Sequence, residues 1–411
     1  MRLPWLLAVA GLVVFAFASR GFAGSRFQTI YHFGAYPGAE TPQGLIAGPN
    51  GAMYGVSTSG GLYGYGTVFE LQPPSAPGGA WTETVLYSFA PQNGDGLEPL
   101  TAPSLGPDGA IYGMTAPFGP PLSTVYQVRP PGPGVTAPPG GTWTENVIYR
   151  SPYYNNLLFF TNWVAAGPDG NLYGVSSNAV FELTPPPTGS LPGTPWSQTI
   201  ITTSYSYLQG LALGAHGVLY ILASQGIPFD GAIISLKPPA TPSGSWTETT
   251  LYTFGDNSGG LNALQPPVTG PDGAIYGTTS EAGANGLGTV FQLLPPKTKG
   301  GAWTYNILYN FGGTLNQIAS SPLVVRNGKI YGTAAGDYAV GSGGGYVFEL
   351  EKPSSGSGLW NATILYNFTG KQEPNGGLVV AKDGALYGTT VPGPDTFFPP
   401  AGDSIAYKIL P

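Results

Sequence analysis

Short apolar segments separated by glycine- and proline-rich turns run the length of the chain, and four kinds recur in a fixed order. The first is a brief apolar lead-in, as at Leu45–Ala47, Val164–Ala166, Leu323–Val324 and Leu378–Val380. A tight turn and a second apolar segment follow, together reading GPDGAIYG at 106–113 and 270–277. Variants of this octad lie at 48–55, 167–174, 214–221, 325–332 and 381–388, giving seven copies whose tyrosines are Tyr54, Tyr112, Tyr173, Tyr220, Tyr276, Tyr331 and Tyr387. The steps between these tyrosines are 58, 61, 47, 56, 55 and 56 residues, the period of a repeat architecture. In the turn, proline presets φ, aspartate can bond the backbone two residues on, and glycine accepts positive φ.

The third segment is of the type TVFEL: Val68–Leu71, Val125–Val128, Val180–Leu183, Ile233–Leu236, Val290–Leu293, Val347–Leu350 and Ile405–Ile409. A proline run or pair, or the single Pro353, follows in six of the seven copies and stops the strand, because proline cannot donate to a ladder. The fourth segment, WTETVLYSF at Trp81–Phe89, opens on a tryptophan that recurs as Trp143, Trp196, Trp246, Trp303 and Trp360. Strict strand alternation puts Trp81, Glu83, Val85, Tyr87 and Phe89 on one face and Thr82, Thr84, Leu86 and Ser88 on the other. That suits a half-exposed outer strand, whereas the second and third segments are apolar on both sides, as strands between neighbouring sheets are. The tryptophans are expected to form a packing girdle rather than a ligand-stacking set. The glycines after the tyrosines (Gly55, Gly113, Gly174, Gly277, Gly332, Gly388) are expected to let adjacent blades approach.

The ends of the repeat are offset. Phe27–Phe33 is a fourth-type segment without its tryptophan, and the chain closes on a third-type segment. A ring whose N-terminal strand completes its last blade needs this offset. The pattern therefore predicts an all-β fold, a seven-bladed β-propeller of four-stranded antiparallel blades occupying 24–411. An open β-solenoid is the alternative, with shorter turns than these repeats.

Taken together, GTVFELxPP, WTETVLYSF, NGDGLEP and GPDGAIYGTT resemble the Gloeobacter/Verrucomicrobia tandem repeat, most closely over 66–114 and 270–311. The resemblance implies a repeat protein exported by bacteria and brings no catalytic residues with it. The fourth copy departs most, with Gly214-Ala215-His216-Gly217 at the turn and Ile221 in place of glycine. The chain also differs from anchored members in that nothing follows its last strand. PDGNLYGV at 168–175 is more loosely similar to strands of NHL-type and lactonase-type propellers, a likeness of fold.

Composition narrows the chemistry. Glycine (65) and proline (43) are abundant, yet 13% aromatic residues supply the apolar surface a disordered chain lacks. Charged residues are 9% of the chain, against roughly 25% in an average protein. With net charge −7 and no basic cluster, nucleic acid is not an expected partner. No cysteine is present, so disulfides and thiolate metal sites are excluded. Two histidines, His32 and His216, make a multi-histidine centre or a Ser–His–Asp triad a poor expectation. Met1–Ala23 has the basic, apolar and small-residue layout of a signal peptide, with cleavage after Ala18 or Ala23. Its apolar run is short for a span of ~20 residues, though an uncleaved anchor is the alternative. The expected product is a secreted or periplasmic monomer without a membrane span.

Every repeated residue has a structural reason, so candidate chemistry lies in the variable loops that follow the second and fourth strands on one face. These loops carry Asp95, Glu98, Asp256, Glu281 and Asp337 together with Tyr63, Tyr65 and Tyr338, carboxylates and aromatics that suit a sugar or a cation. Solvated loops are the plainer account of the same residues. Thr101, Asn162, Gln209, Gln265 and Ser320 are expected near the axial channel. No cofactor or resident metal is expected, and calcium is the ion such carboxylates would admit. The function expected is non-catalytic binding of a glycan or surface protein. The alternative is a metal-assisted, lactonase-like hydrolase or lyase at the channel mouth.

Overall fold

The computed structural model describes residues 26–34, 38–116, 124–132, 141–150, 163–176, 178–187, 194–204, 206–225, 231–241, 244–255, 265–281, 283–312, 319–335, 344–369, 372–392 and 404–411. The segment Met1–Ala23, expected to be a signal peptide, lies outside these residues. Seven antiparallel sheets follow one another around a ring. Blade 1 is Pro42–Ala47, Met53–Ser57, Thr67–Gln72 and Thr82–Ser88 from inside to outside. Blades 2 to 6 repeat that order, the inner strand of blade 2 being split into Leu97–Pro99 and Ser104–Leu105. Blade 7 is Gln372–Val380, Leu386–Pro392 and Ile405–Leu410, completed on its outside by Arg26–His32 from the start of the chain. The predicted propeller and its closure are thus observed.

Alternation fails at one point in every outer strand. A β-bulge interrupts the pairing of third and fourth strands in all seven blades, as where Val68 faces Tyr87 but Phe69 faces Val85. The extra residue turns the following side chains by one position. Leu86, assigned by strict alternation to the hydroxyl face, is therefore buried, as are Ile148 and Leu308 at the matching positions.

The glycines after the tyrosines also serve a contact other than the one expected. Each lies directly across the ladder from the aromatic residue of its own third strand: Gly55 from Phe69, Gly113 from Tyr126, Gly174 from Phe181, Gly277 from Phe291, Gly332 from Phe348 and Gly388 from Tyr407. The ring lies over the glycine so closely that a Cβ there would overlap it. Blade 4, which has Ile221 instead of glycine, pairs it with Ile234 instead of an aromatic.

Blade-to-blade packing runs through two tiers of the outer strands. Five of the seven repeat tyrosines meet the tryptophan of the next blade, with ring centroids 5.9 Å apart for Tyr54–Trp143 and Tyr112–Trp196, 5.8 Å for Tyr173–Trp246, 6.2 Å for Tyr220–Trp303 and 5.8 Å for Tyr387–Trp81. The tryptophans are the expected girdle. Two residues after the tryptophan, a second position reaches the tyrosine near the end of the preceding outer strand. There the Tyr31 hydroxyl donates to Glu83 at 2.8 Å, Tyr149 donates to Gln198 at 2.8 Å, Tyr252 stacks on Tyr305 at 4.3 Å and Phe27 stacks on Tyr366 at 3.6 Å.

Candidate binding site on the loop face

Two faces of the ring have different chemistry, because the turns of the octads emerge on one side and the variable loops on the other. On the turn face the repeated polar groups satisfy one another. In four blades the turn aspartate accepts from the backbone N–H two residues on and from the repeat tyrosine. Those hydroxyl distances are 2.9 Å for Tyr112–Asp108, 2.7 Å for Tyr173–Asp169, 3.2 Å for Tyr276–Asp272 and 3.0 Å for Tyr387–Asp383. Where the turn carries Asn50 or Asn327, that residue takes positive φ and the tyrosine hydroxyl finds a third-strand glutamate, Glu70 or Glu349. Where the turn keeps Asp108 or Asp272, the third strand supplies Gln127 or Gln292 as a donor to the tyrosine, at 2.6 and 2.7 Å. Burial, with the neighbouring aspartate adding to it, pushes Tyr112 and Tyr276 up to about 12. These tyrosines are neutral struts. His216, in the turn of blade 4, is exposed, as is His32 on the closing strand.

The loop face gathers some of the expected residues. The loop after the second strand of blade 1 carries Tyr63 and Tyr65, and the one after its fourth strand carries Asp95. Glu98, expected in that loop, lies instead in the short inner strand Leu97–Pro99 of blade 2, because pairing with the second strand begins at Leu97. Glycines let the first loop turn back on itself, Gly66 at φ +96 lying against Pro99. The Glu98 N–H donates to the Tyr65 carbonyl at 3.1 Å, and Phe89 N–H donates to Gly66 at 3.0 Å, so the loops are tied along their length. Tyr65 is 39% exposed. Glu98 holds φ +54, a left-handed conformation that costs a non-glycine residue on the order of 1 kcal/mol and persists only where the surroundings impose it.

Asp95 is placed differently. It is 2% exposed, and its carboxylate accepts from the Tyr87 hydroxyl at 2.5 Å and from Ala90 N–H at 3.1 Å. Glu145, at the position Glu83 holds in blade 1, approaches from blade 2 and is pushed up to about 8, first by burial and then by the Asp95 charge, with Arg150 opposing. Its Oε1 is buried without a hydrogen-bond partner, as is the hydroxyl of Tyr126, a position filled by phenylalanine in four other blades. Sequence reasoning passed over Glu145 because it belongs to the repeated WTE element; the acid added by Asp95 in the adjoining loop was the available signal.

Glu281 is exposed and sits in the loop of blade 5, separated by the ring from Tyr65 and Glu98. Asp256, Asp337 and Tyr338 lie outside the described residues, as does Asn162. Of the channel candidates, Gln265 and Ser320 are brought together, the Gln265 amide donating to the Ser320 carbonyl at 3.1 Å. Among the described residues no group of three or more His, Cys, Asp or Glu side chains could hold a metal ion.

Comparison with known proteins places this geometry. A family described as the Gloeobacter/Verrucomicrobia repeat matches residues 161–397. No curated protein matches the chain in sequence. Among solved structures, a fungal alcohol oxidase of the AA5 family in complex with copper is similar at TM-score 0.54 and 13% identity, over 94% of this chain and 76% of that one. A polysaccharide lyase of family PL25, an ulvan lyase, is similar at TM-score 0.52 and 10% identity, over 93% of this chain and 95% of that one. The extracellular domain assigned to a hybrid two-component system of B. thetaiotaomicron is similar at TM-score 0.53 and 11% identity, over 94% of this chain but 41% of that one. At these identities the likeness is one of fold.

Proposed function

Since this chain belongs to the Gloeobacter/Verrucomicrobia repeat family, we propose that it is an exported, non-catalytic binding protein whose loop face takes a carbohydrate of a cell surface. The observation that carries this reading is the backbone hydrogen bond from Glu98, a left-handed residue of the inner strand of blade 2, to the carbonyl of the exposed Tyr65 in the neighbouring loop. An aromatic face packs on the C–H side of a sugar ring, and a carboxylate accepts from its hydroxyls, which is the usual division of labour in such a site. Export is supported by the layout of Met1–Ala23. Among the described residues no helix is long and apolar enough to cross a membrane.

The test is a glycan array followed by calorimetry on the purified protein. Saturable binding is expected, weakened about tenfold or more by Tyr65→Ala and by Glu98→Ala with the melting temperature little changed. Binding indifferent to both substitutions would remove the loop-face assignment. Turnover of a bound glycan or lactone that disappears with Glu98→Ala would replace this reading with the hydrolase or lyase one.

A further inference from the structure

The turn face has one place where the repeat is broken by charge. In blades 6 and 7 the proline of the octad turn is replaced by Arg326 and Lys382, and in blade 7 the third-strand position that is Glu70, Gln127, Glu182, Ser235, Gln292 and Glu349 elsewhere is Lys408. Between blade 7 and the proline-rich connector of blade 1 lies a cleft of about 510 Å³, within the range of small-ligand sites. Its walls include Trp81, Tyr387, Lys382, Asp383, Lys408 and Gln28, with Pro73 to Gly79 forming the rim. Trp81 and Tyr387 meet at 58°, an aromatic corner with ring centroids 5.8 Å apart. Lys408 Nζ is 2.7 Å from Asp383 Oδ2 and 5.4 Å from the centre of the Tyr387 ring, so the cation and its partner carboxylate are fixed in place. Lys382 is exposed, and the Arg326 guanidinium lies over Gly384 of the same turn. Neither Lys382 nor Arg326 joins an ion pair among the described residues. In a chain of net charge −7 this is a local reversal of sign around a cleft with an aromatic wall.

We propose that this seam cleft binds an acidic saccharide, a hexuronate residue whose carboxylate is taken by Lys382. The Trp81 face packs against the C–H side of the pyranose ring, which is also how aromatic side chains present large, rigid apolar area at low entropic cost. Asp383 and Lys408, already paired, offer an acceptor and a donor to the ring hydroxyls, and Gln28 offers one of each. Arg326 adds positive charge at the rim, which steers an anionic ligand toward the cleft. The matching niche between blades 5 and 6 shows what makes the seam distinctive. It is lined by Trp360, Gln292 and Asn306 at the positions of Trp81, Lys408 and Gln28, so a neutral amide stands where the seam has its ammonium, and its lysine, Lys352, comes from the connector and not from the turn or the third strand. This site lies on the opposite face from Tyr65 and Glu98 and stands independently of the loop-face reading.

Calorimetric titration of the full-length protein with tetragalacturonate, and with its fully methyl-esterified form, tests it. The acid should bind saturably, less tightly as sodium chloride is raised, and the neutral ester about tenfold more weakly or worse. Lys382→Glu, an exposed substitution outside the blade packing, should abolish binding of the acid while leaving the melting temperature in place. Trp81→Phe should keep the fold, lose the ligand-induced change in tryptophan fluorescence and weaken binding. Absence of saturable heat with tetragalacturonate, equal affinity for the ester, or unchanged affinity in Lys382→Glu would each overturn the proposal.

Discussion

Glu145 is a carboxyl group that folding moves out of water beside a second acid. Burial first, then the Asp95 charge, raise it to about 8, while Arg150 pulls the other way. The unfolded chain releases that proton near 4.5, so between about pH 4.5 and 8 the folded state holds more protons than the unfolded one. Stability attributable to this group is therefore fully present below 4.5 and is lost as pH rises through 8. Glu145→Gln, which keeps the shape and removes the charge, is expected to stabilise the protein by about 2–4 kcal/mol at pH 8 and to do little at pH 4. Denaturant unfolding at the two pH values measures this; equal effects at both would show that folding does not raise the affinity of this carboxyl for its proton. The residue was visible in the sequence as part of WTETVLYSF, but its environment was not, since Asp95 reaches it from another blade.

Within one blade, the governing element is the cross-strand pair of glycine and an aromatic ring. The tyrosine–glycine and TVFEL segments were both legible as strands from their apolar pattern. Their pairing required the register, which puts Gly277 opposite Phe291 and Ile221 opposite Ile234. A methyl group on Gly277 has to displace the ring, so Gly277→Ala should cost about 1–3 kcal/mol, the usual range for overpacking. Gly277→Ile combined with Phe291→Ile reproduces the pair of blade 4 and should recover much of what Gly277→Ile alone loses, a coupling that a double-mutant cycle reads directly. Additive losses would mean that the two positions do not share space. The outer-strand bulge was hidden for a related reason: a period-two pattern cannot count the extra residue until the partner strand shows where pairing slips.

Closure belongs to the whole ring. Arg26–His32 covers the free edge of Ile405–Leu410, Phe27 stacks on Tyr366 of blade 6, and on the other side of blade 7 the Asn375 amide donates to the Pro42 carbonyl at 2.9 Å and to Gln43 at 3.0 Å of blade 1. Removing residues 1–33 would leave blade 7 with an exposed, fully hydrogen-bonding edge strand, the kind of edge that pairs with other chains. The truncated protein is expected to melt at a lower temperature and to self-associate in size-exclusion chromatography. A truncated protein that stays monomeric with an unchanged melting temperature would show that the strand is dispensable.

The amino-acid sequence alone determined the architecture, because a seven-fold repeat of turn and strand signals is local information written many times over. Its offset ends also determined how the ring shuts. Candidate function was less legible, because it depends on which unlike residues the ring brings side by side. Tyr65 and Glu98 were expected as separate loop residues, and only the folded chain showed Glu98 in an inner strand with its N–H bonded to the Tyr65 carbonyl. Lys382, in the turn of blade 7, and Lys408, in its third strand, are 26 residues apart, and Trp81 comes from the far end of the chain. Pairing of strands follows from pattern, but proximity between blades is set by the closure of the sheet ring, and that is decided only in three dimensions.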